Sequence, residues 1–224
     1  MIEMQNLSFG YSGGEPLLAD MSLTLQPGSF HFLTGPSGSG KTTFLRLCYA
    51  ELLPSGGQMT AFGEDVRGLS RDGIAALRRR VGVVHQDTQF LDHLPVAENI
   101  ALPLIVSGEE VDMQSLGDLL SWVQMTGQAR ALPPELSGGE RQRAALARAV
   151  IMSPDLILAD EPTGNLDWDM SMRLLQLLIE LNRSGKAVLI ATHDMNLIRA
   201  AKQQVQARVL RIAGKRLQLA GADL

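Results

Sequence analysis

The sequence predicts an α/β fold: a mixed sheet with helices between its strands, an antiparallel β-layer near the amino terminus and a helical insertion in the middle. Three observations carry that reading. Continuous apolar runs at residues 30–33, 81–85, 155–159 and 187–191 have the length of strands buried on both faces, and helical periodicity follows the first and third of them. Ile2, Met4, Leu7 and Phe9, and then Leu23 and Leu25, alternate with polar neighbours as half-buried antiparallel strands do. Between Asp87 and Met152 no strand is legible. The chain therefore divides into a core of about residues 1–86 and 153–224 and a helical subdomain of about 87–152.

A chain of 224 residues, 45% of them apolar, suits one large domain or a domain with an inserted lobe. Its formal charge of −4 provides no basic field for DNA or RNA, so no nucleic-acid partner is expected. Cys48 is the single cysteine, which excludes an intrachain disulfide and a thiolate zinc site. The first residues lack the pattern of a signal peptide, and no run reaches the ~20 apolar residues of a membrane span. Residues 100–106 are the longest candidate, and they contain Pro103. Membrane association is expected to come through a partner.

Along the chain, the first two strands surround a turn at Ser12-Gly13-Gly14, with Tyr11 at its mouth. That aromatic ring suits stacking on a purine and half-buried packing about equally. Residues 30–33 then deliver Gly35-Pro36-Ser37-Gly38-Ser39-Gly40-Lys41-Thr42-Thr43, which satisfies G-x-x-x-x-G-K-[ST] between a strand and a helix starting at Lys41. Glycines let successive N–H groups point into one concavity, and the helix N-terminus adds positive charge, so the loop suits a polyphosphate. Lys41 reaches the β- and γ-phosphates, and the Thr42 hydroxyl is a hard ligand for Mg²⁺.

A strand at residues 58–62 closes the first sheet, and a short helix over 74–80 ends in three arginines expected to form a solvated face. Gln86 follows the strand at 81–85, on the edge where α/β sheets bind ligands. Residues 94–107, 116–125 and 140–152 read as helical or loop-like. Within them, Pro133-Pro134-Glu135-Leu136-Ser137-Gly138-Gly139-Glu140 stops one element and caps the next, exposing a second helix N-terminus as an anion site.

The strand at 155–159 delivers Asp160 and Glu161, carboxylates costly to bury without a task. Asp160 is read as a Mg²⁺ holder and Glu161 as the group polarising an attacking water. Met170, Leu174, Leu177, Leu178 and Leu181 mark a helix, and the strand at 187–191 leads to His193, expected to contact the γ-phosphate. Arg208 to Ile212 and Lys215 to Leu219 read as a terminal hairpin.

Six stretches in this order, the glycine loop ending at Thr43, Gln86, Leu136-Ser137-Gly138-Gly139-Glu140, the strand ending in Asp160-Glu161, Asn165-Leu166-Asp167 and His193, resemble the motifs of an ABC-type ATPase over essentially the whole chain. The resemblance implies a P-loop NTPase with a RecA-like core and an Mg-dependent reaction converting ATP and water to ADP and phosphate. Glu161, His193, Gln86 and Lys41 would be catalytic, and Thr42, Gln86 and Asp160 would hold the metal. It assigns Tyr11 to adenine stacking, and Ser137 with Gly138 and Gly139 to the γ-phosphate of a nucleotide held by a second copy, in a head-to-tail homodimer.

The run Asp160 to Asp167 resembles a subgroup whose membrane partners transmit movement rather than forming a pore. Residues 77–87, 101–104 and 191–198 look most like its cell-division branch, with the lipoprotein-release and efflux ATPases as the alternative. That implies an integral membrane partner, through which this chain would sit in the cytoplasm, peripheral on the cytoplasmic face of the inner membrane. The partner would dock in a groove lined by residues 86–105, including Gln86, Phe90, Leu91 and Ile105. DNA-associated ABC ATPases insert long segments between these motifs, and the spacing here leaves no room for them. Thr42-Thr43 replaces the family's commoner Ser-Thr pair, and Cys48-Tyr49-Ala50 departs from its usual glycine-containing stretch.

Overall fold

The computed structural model describes residues 1–11 and 15–219, so the turn expected at Ser12-Gly13-Gly14 lies outside the described residues. Strands β1 (Ile2–Phe9) and β2 (Leu18–Leu25) pair antiparallel. Their alternation slips by one place between Met4 and Leu7, where Asn6 adopts φ 48° and a bulge resets which side chains face inward. β3 (Phe30–Thr34) runs into the glycine loop and α1 (Lys41–Cys48). β4 (Gly56–Ala61) pairs with β1, and the two-residue β5 (Glu64–Asp65) extends that sheet.

Helix α2 (Arg71–Arg79) begins three residues earlier than its apolar pattern suggests because Ser70 caps it, accepting from the Gly73 N–H. β6 (Val81–Val84) leads to Gln86, and then come α3 (Val96–Ser107), α4 (Met113–Trp122, capped by Asp112) and α5 (Gly138–Val150, capped by Ser137). β7 (Leu156–Asp160), α6 (Trp168–Arg183) and β8 (Ala187–Ala191) follow. The chain continues through α7 (Met195–Lys202), capped by Asp194 and absent from the sequence reading, to the hairpin β9 (Ala207–Ala213) and β10 (Arg216–Leu219).

Two sheets result among the described residues: an antiparallel one in the order β2-β1-β4-β5 and a six-stranded one in the order β10-β9-β3-β8-β7-β6. In the second, β6, β7, β8, β3 and β9 are parallel and only β10 runs against its neighbour. Its strands read as continuous apolar runs because both faces are covered. Ile157 and Val188 belong to the cluster beneath α5 and α6, whereas Leu156, Leu158 and Leu189 belong to the cluster shared with α1 and the antiparallel sheet. Because β3, β6, β7 and β8 run in the same direction, their carboxyl ends lie along one edge of the sheet.

Helix α5 is seated directly on β6. A Cβ on Gly82 would stand 2.3 Å from the Ala149 carbonyl oxygen, so no larger residue fits there without moving the helix. The three arginines at the end of α2 are not simply a solvated face. Arg78 donates to the carbonyls of Tyr49 (3.3 Å) and Ala50 (3.0 Å), and Arg80 pairs with Asp155 (2.7 Å). Orphan carbonyls beyond the end of α1 supply the partners, and the periodicity of α2 alone cannot show that.

Candidate functional site

The glycine loop forms the floor of a cavity of about 650 Å³ lined by Gly35, Pro36, Ser37, Gly38, Gly40, Lys41, Thr42 and Thr43, and closed by Gln86, Asp160, Glu161 and His193. Four strand ends contribute to it, as the parallel sheet requires. Gly40 sits at φ 98° with its α-carbon against the side chain of Leu18: a Cβ would lie 2.8 Å from a Leu18 methyl. The left-handed turn starts α1 without any side-chain cap, and no acidic residue occupies its first turn, unlike α2, α5, α6 and α7, whose tips hold a Ser or Asp oxygen. The N–H groups at the start of α1 are thus free for an anion. Ser39 Oγ, buried among the loop's atoms, has no hydrogen-bond partner among the described residues.

Lys41 Nζ is folded onto the loop's own carbonyls, donating to Gly35 (3.0 Å) and Pro36 (3.4 Å), and lies 3.8 Å from Glu161 Oε1. The same Glu161 oxygen stands 3.0 Å from His193 Nδ1. Glu161 holds this position on a left-handed backbone, φ 43°, anchored by its N–H donating to the Ala191 carbonyl at 2.8 Å. Its side chain is only 12% exposed, while that of His193 is 77% exposed. The carboxylate is therefore sheltered and the imidazole reachable.

Asp160, buried at the end of β7, pairs with the Thr42 hydroxyl. Burial pushes its carboxyl above the ordinary range, against the Thr42 hydrogen bond and with help from the Glu161 charge. One carboxylate and one hydroxyl are a hard-oxygen pair of the kind Mg²⁺ accepts. No cluster of three or more His, Cys, Asp or Glu suited to a metal occurs among the described residues. A cation here must take the rest of its octahedron from phosphate and water, which is how Mg²⁺ binds beside nucleotides. The uncapped helix tip, the unpartnered Ser39 hydroxyl, the self-satisfied lysine and the Asp160–Thr42 pair all fit a Mg-polyphosphate.

Tyr11 lies outside the lining, 52% exposed, with its hydroxyl 3.3 Å from Thr43 Oγ1 and its ring edge-on to Phe9 at 5.0 Å. Its hydroxyl and ring are thus engaged within the chain while about half of the residue stays exposed. Ser137, Gly138 and Gly139 do not line the cavity of their own chain. They sit where α5 meets the start of α6, so close that a Cβ on Gly139 would come within 2.4 Å of the Met170 methyl. The tip is also self-capped. Glu140 accepts from the Ser137 N–H (2.8 Å) and hydroxyl (2.7 Å), and these bonds hold its carboxyl below the usual range.

Sequence reasoning missed Leu17 and Gly164 in the cavity wall, and also His85. Leu17 precedes its strand and carries no chemical signature. His85, the residue that follows β6, lines a smaller chamber of about 280 Å³ shared with Tyr49, Glu51, Thr42 and Asp160.

A second hollow, about 530 Å³, opens between α2, β6, α3 and α5, with Val83, His85, Pro103, Val106, Arg148 and Met152 among its walls. The expectation that Phe90 lines a docking groove is corrected. Its ring is buried in the core cluster and covered by the guanidinium of Arg148, 4.5 Å from the ring centre, because an aromatic at this bend gains more from packing than from exposure. Leu91 and Ile105 remain exposed.

The family model described as ABC transporter matches residues 18–164, more than half of the chain. The cell division ATP-binding protein FtsE of Bacillus subtilis (strain 168) is 40% identical over 207 residues, covering 92% of this chain and 91% of that protein. FtsE of Haemophilus influenzae is 44% identical over 202 residues, covering 88% and 92%. Among solved structures, the dimeric ATP-binding cassette MJ0796, in a post-hydrolysis state bound to ADP and Pi, superposes with a TM-score of 0.86 at 30% identity. It covers 99% of this chain and 100% of that one.

Proposed function

The chain belongs to the ABC transporter family and is an ATPase of it, and we propose that it serves as the ATP-hydrolysing subunit of a membrane-anchored cell-division complex. One observation carries the reading of the site: Glu161 Oε1 is held 3.0 Å from His193 Nδ1 and 3.8 Å from Lys41 Nζ, at the mouth of the phosphate cradle. Lys41 exchanges its loop carbonyls for the β- and γ-phosphate oxygens, and the N–H groups from Gly38 to Thr43 close around them. Thr42 and Asp160, with Gln86 beside them, would hold Mg²⁺, which would supply charge neutralisation at the phosphates. Glu161 takes a proton from the attacking water while His193 steadies the γ-phosphate and the carboxylate.

Two copies are required in this reading. Ser137, Gly138 and Gly139 of one protomer cover the γ-phosphate in the other, releasing the Glu140 cap, while Tyr11 stacks on adenine. ATP joins the protomers and hydrolysis parts them, a population shift driven by contacts that only the triphosphate makes. The helical subdomain at about 87–152 moves with the partner. That partner is the membrane protein FtsX, docked in the hollow between α2 and α3 on the cytoplasmic face of the inner membrane, through which closure controls cell-wall hydrolysis.

The test is Glu161→Gln, which keeps the shape and removes the base. Light scattering with Mg-ATP is expected to give a trapped dimer that does not turn over. A variant that stays monomeric at saturating ATP overturns the sandwich. Co-purification from detergent-solubilised membranes is expected to yield FtsX; a lipoprotein-release protein in its place overturns the cell-division assignment and leaves the ATPase standing.

A further inference from the structure

The Ser137 tip already holds an anion supplied by its own helix. Glu140 Oε2 accepts from both groups that Ser137 would offer a phosphate, the N–H at 2.8 Å and the hydroxyl at 2.7 Å, and the Gln128 side chain bonds the same carboxylate. A phosphate that takes those donors displaces Glu140, and the displaced charge, if it stayed alongside, would repel the phosphate. A cation able to receive it stands close by. Arg143 lies three residues along α5, on the same face of the helix, and its guanidinium is packed against the tip: a Cβ on Gly139 would stand 3.7 Å from Nη1. That nitrogen meets the Met170 sulfur, a weak acceptor, at 3.9 Å, and the buried Nε has no hydrogen-bond partner among the described residues. The arginines in ion pairs there are Arg46, Arg80 and Arg216, so Arg143 has no carboxylate in contact. Burial pulls its guanidinium below the ordinary range, with the Glu140 charge opposing and Arg173 assisting. A half-buried cation of this kind gains from a carboxylate that docks on it.

We infer that Glu140 holds the phosphate place at the Ser137 tip until a triphosphate carried by a second copy arrives, and then swings onto Arg143, whose guanidinium keeps the displaced charge off that phosphate. The inference rests on the sandwich proposed above and adds where its displaced cap goes. The tip exchanges one anion for another, and Arg143 sets how readily it does so. Without Arg143, Glu140 competes with the γ-phosphate at full charge; with a neutral cap there is little to displace. Arg143 touches no phosphate itself and acts through Glu140, as a positioning residue.

The experiment is run on the Glu161→Gln chain with saturating Mg-ATP, and light scattering reads the protein concentration at which half of the chains are dimeric. Glu140→Gln keeps the shape of the cap and removes its charge, and is expected to lower that concentration roughly tenfold. Arg143→Met, which keeps an apolar stem against Met170, is expected to raise it roughly tenfold, and Arg143→Lys to restore most of the loss. The double variant is expected to behave as Glu140→Gln alone, because a neutral cap has no use for Arg143. Binding of a fluorescent ATP analogue at concentrations too low for dimers is expected to stay within about twofold in every variant, since the tip does not line its own chain's cavity. Circular dichroism checks that the fold is intact. If Arg143→Met weakens the dimer equally with and without Glu140→Gln, Arg143 merely supports the helix and the inference falls. A Glu140→Gln dimer no tighter than its parent overturns it too, with no change made at Arg143. A parent that forms no dimer overturns the sandwich and the inference together.

Discussion

Replacing His31 by leucine should flatten the acid limb of this protein's stability curve. His31 sits within β3, 2% exposed, with Nδ1 unpartnered among the described residues and the Arg208 guanidinium near enough to repel a proton. Burial first, and that charge second, lower its pKa from 6.5 to about 4. Because the folded form refuses a proton that the unfolded chain accepts, stability is whole above pH 6.5 and falls as pH drops towards 4. A shift from 6.5 to about 4, at 1.36 kcal/mol per pH unit, is worth about 2 kcal/mol at pH 5 and about 3 kcal/mol at pH 4. Urea midpoints of wild type and His31→Leu from pH 7.5 to 4.5 measure it. His85, also lowered by burial, titrates in the same sense in both proteins and cancels in the difference. Curves that stay parallel across this window refute the reasoning, since they mean that His31 is protonated in the native state or wet in it.

Three further outcomes follow from particular contacts. Gly82→Ala drives a methyl into the Ala149 carbonyl and should cost about 1–3 kcal/mol in urea unfolding by prying α5 off β6. Asp167→Ala removes the oxygen that accepts the Met170 N–H at 2.8 Å and should cost about 1 kcal/mol, again by urea midpoint. Asp160→Asn should lower Mg²⁺ affinity in the presence of nucleotide at least tenfold in a calorimetric titration while leaving the urea midpoint within about 1 kcal/mol, because the amide still accepts from Thr42 but no longer carries charge.

The glycine loop and the start of α1 at Lys41 are legible in the sequence because a backbone that turns at φ 98° against Leu18 permits so few residues, and the motif's glycine spacing marks it. The gathering of Gln86, Asp160, Glu161 and His193 is legible too, since each ends an apolar run and parallel strands present their ends together. What could not be read depends on contacts remote in sequence. Arg78 finds the carbonyls beyond α1, Phe90 goes inward because Arg148 covers it, and β1 changes inward-facing parity at Asn6 to fit two partners at once. Capping of the Ser137 tip by Glu140 follows a local rule, yet its meaning, that this tip already holds a negative group, emerges only when the side chains are seen bonded.

Glu161 stands on a peptide unit twisted to φ 43°, a conformation that costs an ordinary side chain on the order of 1 kcal/mol and glycine almost nothing. Glu161→Gly would relieve that conformation, and on the role proposed above for Glu161 it would remove the group that polarises the attacking water. Durability and turnover thus compete for one residue, and any screen that rewards heat tolerance alone should be expected to drift towards inert variants there.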